Sequence, residues 1–513
     1  MGKRREEGSE RRILKPRETD TRLLVDALPD TTGHVIDRCL ACVSDPAQPK
    51  ISYHIMKTLP SILSRFHSSR SFLGVLCLAA GLSVLNGFAA SEPPKGFTAL
   101  FNEKDLSGWR GGETFDHREL VAMPEDKRNP QIAKWTQSMR EHWRAENGEL
   151  VNDGHGAYAT TEQDYGNFEL LIDYKTVPKA DSGIYLRGVP QVQIWDHTNE
   201  SEFRNGANKG SGGLWNNSPG APGKDPLVLA DKPFGEWNKF RIIMVGSRVT
   251  IWLNDKLVVD HAILENYYDK ANKSLKPDQR RPIPPQGPIQ LQTHGGEIRW
   301  RNIFLREIPS DEANAILARH EEPGFKSAFS GQNFDGWAGP VENYEVKDGT
   351  IICKPGKGGT IYTKDEFKDF VARLEFKLPP GGNNGLAIRY PGKGDPAYAG
   401  MCELQVLDDN YEKVRGKIDP RQAHGSAYGM VPAHRGYQHP ISQWNFQEVT
   451  VKGSTIKVEL NGSIILNTDL SKVTEFMANS PHPGKDLASG HFGFAGHDDP
   501  VRFRNIRIKR LSD

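Results

Sequence analysis

Two histidines stand at matching points of a repeated stretch. His294 opens "HGGEIRWRNIFL" and His497 opens "HDDPVRFRNIRI". An imidazole titrates near neutrality, so each is a candidate general acid or base, against the plainer role of a solvated loop histidine. Three carboxylates are candidates for the same work: Asp196 at the end of "PQVQIWD", Glu265 in "HAILENYYD" and Glu403 in "CELQVLD". Asp196, and Asp408 at its matching place, also suit turn formation at a strand end. The candidate binding residues alternate along the chain. Gln191, Gln193 and Trp195 share one face of an extended segment, while Val192 and Ile194 share the other. The matching face of the second stretch carries Glu403, Gln405 and Leu407. "SGIYLRG" adds Tyr185 and Arg187 on one face, with Arg389 at the place of Arg187; such an arginine suits either a fixed ion pair or contact with a ligand oxygen. Trp215 lies in "KGSGGLWNN", which lacks the spacing of a phosphate loop and is expected to lie over the open sheet face.

The elements that must position these residues are strands. "RVTIWLNDKLVV" reads as an alternating strand, a turn at Asn254-Asp255 and a returning strand; "STIKVELNGSIIL" repeats it around Asn461-Gly462. The repetition is extensive. "FELLIDYKTVPKADSGIYLRG" matches "FVARLEFKLPPGGNNGLAIRY", and "FTALFNEKDLSGW" matches "FKSAFSGQNFDGW". The order and spacing of these matches mark a domain duplication. The expected division is a first copy over 92–309, a connector over 310–322 and a second copy over 323–513. Each copy is long enough for two packed antiparallel sheets. The first also carries a mostly helical insert, "HRELVAMPEDKRNPQIAKWTQSMREHW", which the second lacks. The "RNI" triplets and the Trp237-Asn238 and Trp444-Asn445 pairs are read as structural.

The first 90 residues are read separately. Residues 56–90 carry a basic start, an apolar run from Phe72 to Leu85 and small residues near Ala89, the pattern of an export signal. That run is too short for a comfortable membrane span, so the exported chain is expected without stable membrane insertion. Residues 1–55 are read as a mis-assigned or disordered extension. With 66 Lys+Arg against 65 Asp+Glu, the chain offers no electrostatic case for a nucleic-acid partner. Beyond the first 90 residues only Cys353 and Cys402 remain, enough for one disulfide but not for a disulfide framework.

"LFNEKDLSGW", "DSGIYLRG", "VQIWD", "GEWNKFRI", "LENYYD" and "GPIQLQTHGGEIRWRNIFLREI" together resemble the 3-keto-disaccharide hydrolase domain family, over nearly all of 97–308 and more loosely over 324–511. The resemblance implies an all-β fold of two tandem concanavalin-A-like jelly rolls and activity on glycosides oxidised at carbon 3. It also implies that an acid often stands where this chain has Gln191, so the second copy, with Glu403, keeps a feature that the first has lost. A ketone at carbon 3 acidifies the hydrogen on carbon 2. Its removal gives an enolate that expels the glycosidic oxygen, after which water adds. This route needs a base, a partner for the enolate oxygen and an acid for the leaving group, rather than paired carboxylates. The expectation is a cleft uniting Arg187, Gln193 and His294, with Asp196 or Glu265 at its rim and Trp195 and Trp215 for stacking. A divalent ion held by side chains distant in sequence would also suit the enolate. The competing readings are a tandem carbohydrate-binding protein and a scaffold without chemistry.

Overall fold

Alternation of apolar and polar residues builds the two sheets of the first copy. In the strand Phe168–Thr176, Phe168, Leu170, Ile172 and Tyr174 are fully buried and enter one core. Facing them across that core are Ile184, Val192, Ile194 and Leu291. Burying an aliphatic or aromatic side chain of this kind stabilises the fold by roughly 1.5–3 kcal/mol. The computed structural model describes residues 92–512. The expected extension over 1–55, the expected export signal over 56–90 and Cys39, Cys42 and Cys77 lie outside them.

The first sandwich pairs an eight-stranded sheet with a five-stranded one, all antiparallel. The smaller sheet runs Trp109–Gly112, Tyr158–Thr161, Gln290–Leu291, Ser182–Leu186 and Val189–Ile194. The second copy repeats both sheets. Its five-stranded sheet runs Trp337–Ala338, Gly358–Phe367, Gly490–His497, Asn383–Tyr390 and Cys402–Leu407. The registers coincide as well: Leu291 opposes Ile184 in the first copy, and Phe494 opposes Leu386 in the second. His294 and His497 follow these positions at equal distance, so the two histidines occupy the same place in the two folds. The structural reading of "RNI" also holds. Asn302 and Asn505 adopt left-handed φ of 51° and 52° at a register shift of the last strand and donate to Asp173 and Glu375 respectively.

The helical insert forms His117–Ala122 and Glu125–His142. Its second helix buries Trp135 and Met139 against the small sheet. Gly111 permits that approach, because a Cβ there would lie 2.1 Å from the Trp135 backbone. The connector contains the helix Ser310–Arg319, whose Ala313 and Leu317 share a small apolar cluster with Val245 of the first copy and Phe446 of the second. Two hairpin turns meet beside it. Ser247 N donates to Gly462 O at 3.0 Å, and Arg248 forms a two-pronged ion pair with Glu459. Cys353 and Cys402 are buried free thiols on different sheets and form no disulfide. Among the described residues no helix is long and apolar enough to cross a membrane.

Candidate active-site clefts

In the first copy the polar face of the small sheet is a lidded cleft rather than an open surface. Gln191 and Gln193 are nearly fully buried. The lid is the glycine-rich loop, which docks on the edge strand: Gly212 N donates to Gln193 O, and Gln193 N donates to Gly213 O. It brings Trp215 edge-to-face against Trp195, with ring centroids 6.0 Å apart and planes at 77°. Lys224 lies over the Trp215 ring, and Asn205 O holds its indole N–H. Tyr158, Tyr185, Tyr267, Gln292 and His294 complete the wall. Thr114 Oγ1 lies 2.7 Å from the Tyr185 hydroxyl and 3.2 Å from that of Tyr158, so three hydroxyls converge there. Gln292 Oε1 is buried without a hydrogen-bond partner among the described residues, an acceptor available to a ligand.

A chain of polar contacts crosses the floor. Gln191 Nε2 donates to Gln193 Oε1, and Gln193 Nε2 donates to Asp181 Oδ1 at 2.6 Å. The other oxygen of Asp181 lies 2.8 Å from His294 Nδ1. An ionised carboxylate can only accept, so the Nδ1 proton lies on this bond and Nε2 of the neutral ring is left with its lone pair outward. The side chain of His294 is 62% exposed, hence reachable by a substrate. The bond from Asp181 raises the histidine above the ordinary imidazole value, against a weaker opposing effect of burial.

The second copy exchanges the two side chains that flank its histidine. Asn383 stands where the first copy has Asp181, and Glu403 stands where it has Gln191. Gln405 still donates to the strand-entry residue, here Asn383 Oδ1 at 2.6 Å. The histidine partner is now Glu403, whose Oε1 lies 3.6 Å from His497 Nε2. Burial pushes the Glu403 carboxyl upward although His497 opposes the shift, and Glu403 in turn raises His497. Glu403 and His497 line this cleft with Tyr362, Tyr390 and Asp395. The docked loop is repeated there, with Gly425 N donating to Gln405 O and Gln405 N to Ser426 O, but Tyr428 and Leu407 stand where the first copy has Trp215 and Trp195, so the tryptophan pair is not. Leu407, expected on the polar face, is buried.

Several expected site residues stand elsewhere. Arg187 is fully buried and does not enter the cleft. The pairing of its strand shifts after Ile184, and its left-handed φ of 55° breaks the two-residue alternation that would have placed it beside Tyr185. Its guanidinium bonds Gly166 O, Pro284 O and Asn167 Oδ1, and burial without a counter-ion lowers its pKa to about 9. Arg389 repeats this, with φ 47° and bonds to Lys368 O, Gly453 O and Asp369. Both arginines are structural. Asp196 accepts from Lys179 N, Thr198 N and Thr198 Oγ1, fixing the turn after its strand; Asp408 does the same with Gly381 N and Asn410 N. Burial opposes ionisation of Asp196, but those bonds outweigh it and hold the carboxyl below its usual range. Glu265 binds Ser218 and Lys270 in a separate depression and does not face His294. Gln405 is buried against Asn383 and does not line the second cleft. The sequence reading missed Asp181, Tyr158 and Gln292. Asp181 sits in the quoted "DSGIYLRG", but its place ahead of a strand disguises it as a turn residue.

Among the described residues no three His, Cys, Asp or Glu side chains gather as a metal cage. Asp181 spends its oxygens on His294 Nδ1 and Gln193 Nε2, which leaves His294 Nε2 as a single nitrogen donor, too few for a resident divalent ion, and no step below passes through one.

Residues 96–306 and 324–509 match the 3-keto-alpha-glucoside-1,2-lyase-like domain. A 3-keto-disaccharide hydrolase from Bacteroides thetaiotaomicron is 27% identical over 249 residues, which cover 40% of this chain and 86% of that protein. The crystal structure of a candidate glycosyl hydrolase from Parabacteroides distasonis is 28% identical, over 36% of this chain and 99% of the other, with a TM-score of 0.33. A second from the same organism is 23% identical, over 40% and 99%, with a TM-score of 0.32. The two matched segments fall on the two sandwiches, and the chain belongs to the 3-keto-alpha-glucoside-1,2-lyase-like domain family, with its domain present twice in tandem.

Proposed function

We propose that this chain is an exported carbohydrate-acting hydrolase that cleaves 3-keto-glycosides by elimination and hydration, with chemistry in the first copy. The observation that carries the reading is the exposed His294, oriented by Asp181 at 2.8 Å beside an indole-lined cleft. The Nε2 lone pair takes the proton from carbon 2. The electrons move into the carbon 3 carbonyl as an enolate, and the bond from carbon 1 to the glycosidic oxygen breaks as the enolate collapses. The imidazolium returns the proton to the departing oxygen. Water then adds its oxygen to carbon 1 and a proton to carbon 2, regenerating a 3-keto sugar. With Arg187 outside the cleft, the hydroxyls of Thr114, Tyr158 and Tyr185 are the donors for the developing oxyanion. The Tyr185 phenol suits this, because burial raises its pKa and keeps it a donor. The tryptophan pair supplies a stacking surface for the ring. Export rests on the residue pattern of 56–90, and N-terminal sequencing of the mature chain checks it: a start within 1–55 would overturn it.

The experiment on function is His294→Ala in the full chain, assayed on a 3-keto-glucoside. Turnover should fall roughly 100-fold or more, as for loss of a general base, while thermal unfolding is unchanged. Glycan binding by the unaltered chain without turnover would replace this reading with the tandem carbohydrate-binding one.

A further inference from the structure

The second copy touches the wall of the first cleft. "RPIPPQGP", from Arg281, forms a strap over the first sandwich. Its prolines fix φ and carry no N–H, so the strap is stiff and its carbonyls seek donors outside itself. Pro282 O accepts from Arg118 Nη1 at 3.3 Å and from Asn266 Nδ2 at 3.4 Å; Pro284 O accepts from the buried Arg187 at 3.3 Å. A further donor comes from the other copy. The Tyr437 hydroxyl is shared between Pro282 O and Ile283 O, each at 3.2 Å. Tyr437 is itself anchored at home, where Asn461 Nδ2 donates to its carbonyl at 2.9 Å and its ring packs on the second core. Burial pushes its phenol up to about 12, so it remains a donor at neutral pH.

On its other side the strap holds the cleft. Asn266, which donates to Arg281 O and Pro282 O, also caps the short helix Tyr267–Ala271 by accepting from Tyr268 N and Asp269 N. Asp269 ties the same turn back to Arg281 through its backbone N–H and guanidinium. The first residue of that helix, Tyr267, lines the first cleft with His294 and Trp215. Strap and helix thus form one hydrogen-bonded unit, with an aromatic ring in the cleft and two carbonyls against the second copy. At the matching place the second copy runs a loop of unlike sequence with the short turns Leu470–Lys472 and Met477–Asn479.

We propose that the second copy positions the first cleft, with Tyr437 as a positioning residue that seats the strap and, through Asn266, holds Tyr267 against bound sugar. This rests on the functional reading above for the identity of the ligand, but not for the mechanical link. The test is Tyr437→Phe in the full chain, which removes one hydroxyl and keeps the ring, with Tyr267→Ala as benchmark. Amide hydrogen exchange should rise about 2–10-fold across 264–286, the size expected for one lost hydrogen bond, and stay unchanged over 490–497. KM for a 3-keto-glucoside should rise about 2–10-fold with kcat little changed, in the same direction as Tyr267→Ala. Unchanged exchange at 264–286 overturns the inference. So does faster exchange with unchanged KM, since the strap would then be held without positioning anything. If the unaltered chain turns over no 3-keto-glycoside, the functional reading falls and the exchange measurement alone decides the link.

Discussion

The two clefts keep one carboxylate and one amide around the same histidine but exchange their places. In the first, Asp181 at the strand entry holds Nδ1 and Gln191 is the amide on the neighbouring strand. In the second, Asn383 holds the entry and Glu403 faces Nε2. The consequence is chemical: the first ring turns Nε2 toward the cleft, the second turns Nε2 toward its own partner. The carboxylates also differ in cost. Asp181 is a quarter exposed, whereas Glu403 is buried and its ionisation is resisted. One fold, duplicated, therefore offers a solvated acid–base pair and a desolvated one.

The largest test of that contrast compares histidines. His497→Ala should leave turnover of a 3-keto-glucoside within about twofold, against the loss of roughly 100-fold for His294→Ala. The reverse pattern would move the chemistry to the second copy, with Glu403 as its base. Next, Asp181→Asn should lower kcat/KM by about tenfold to 100-fold, less than the ~10⁴ for a buried triad aspartate because His294 is exposed. The same variant should shift the acid limb of the pH–rate profile to lower pH, since the bond that raises His294 is gone and a base works only when neutral. Adding Gln191→Glu, which rebuilds the second copy's arrangement in the first, should recover part of the loss; no recovery would show that the two carboxylate positions are not interchangeable.

A smaller effect concerns space. A Cβ at Gly385 would lie 2.0 Å from Glu403 Oε1 and 2.4 Å from its Cγ, whereas at Gly183 the nearest atom is Gln191 Cδ at 2.9 Å. Gly385→Ala should destabilise the protein by about 1–3 kcal/mol in denaturant titration, and Gly183→Ala by less. The smallest effect is a slope. Glu403 has a raised pKa in the folded state, so between the ordinary glutamate value and the raised one the native chain binds more protons than the unfolded chain. Stability should fall as pH rises through that window, and Glu403→Gln should remove this contribution. An unchanged slope in that variant would mean that Glu403 is ionised as readily as a solvated glutamate.

Much of the fold was legible because its signals are local. Alternation along "FELLIDYKT", the Asn461-Gly462 turn and the repeated segments each report neighbouring residues. The histidines were legible through duplication. The failures share a cause too. Arg187 was assigned by a two-residue period that ends at a left-handed residue, and no periodicity announces a reversal of φ. Asp196 and Glu265 look catalytic by type, yet each spends its oxygens on nearby backbone or lysine, which only three dimensions reveal. Asp181 could have been found by asking which carboxylate the second copy replaces with an amide, since Asn383 aligns with it.

The contact between the copies has a direction. It joins the turn at Gly246 of the first to the turn at Gly462 of the second, two different hairpins, so the arrangement is head-to-tail and lacks the self-complementarity of a two-fold dimer. Such a contact leaves unlike ends free: the Gly453 turn on the second copy and the Asn254-Asp255 turn on the first. Repeated from chain to chain it would generate a filament. One atom of the sequence opposes that repetition. At Gly462 a Cβ would come within 2.5 Å of Val245 O, and the matching residue of the first copy is Asp255, which carries one. The same contact made with the Asn254-Asp255 turn would press that Cβ against a backbone oxygen.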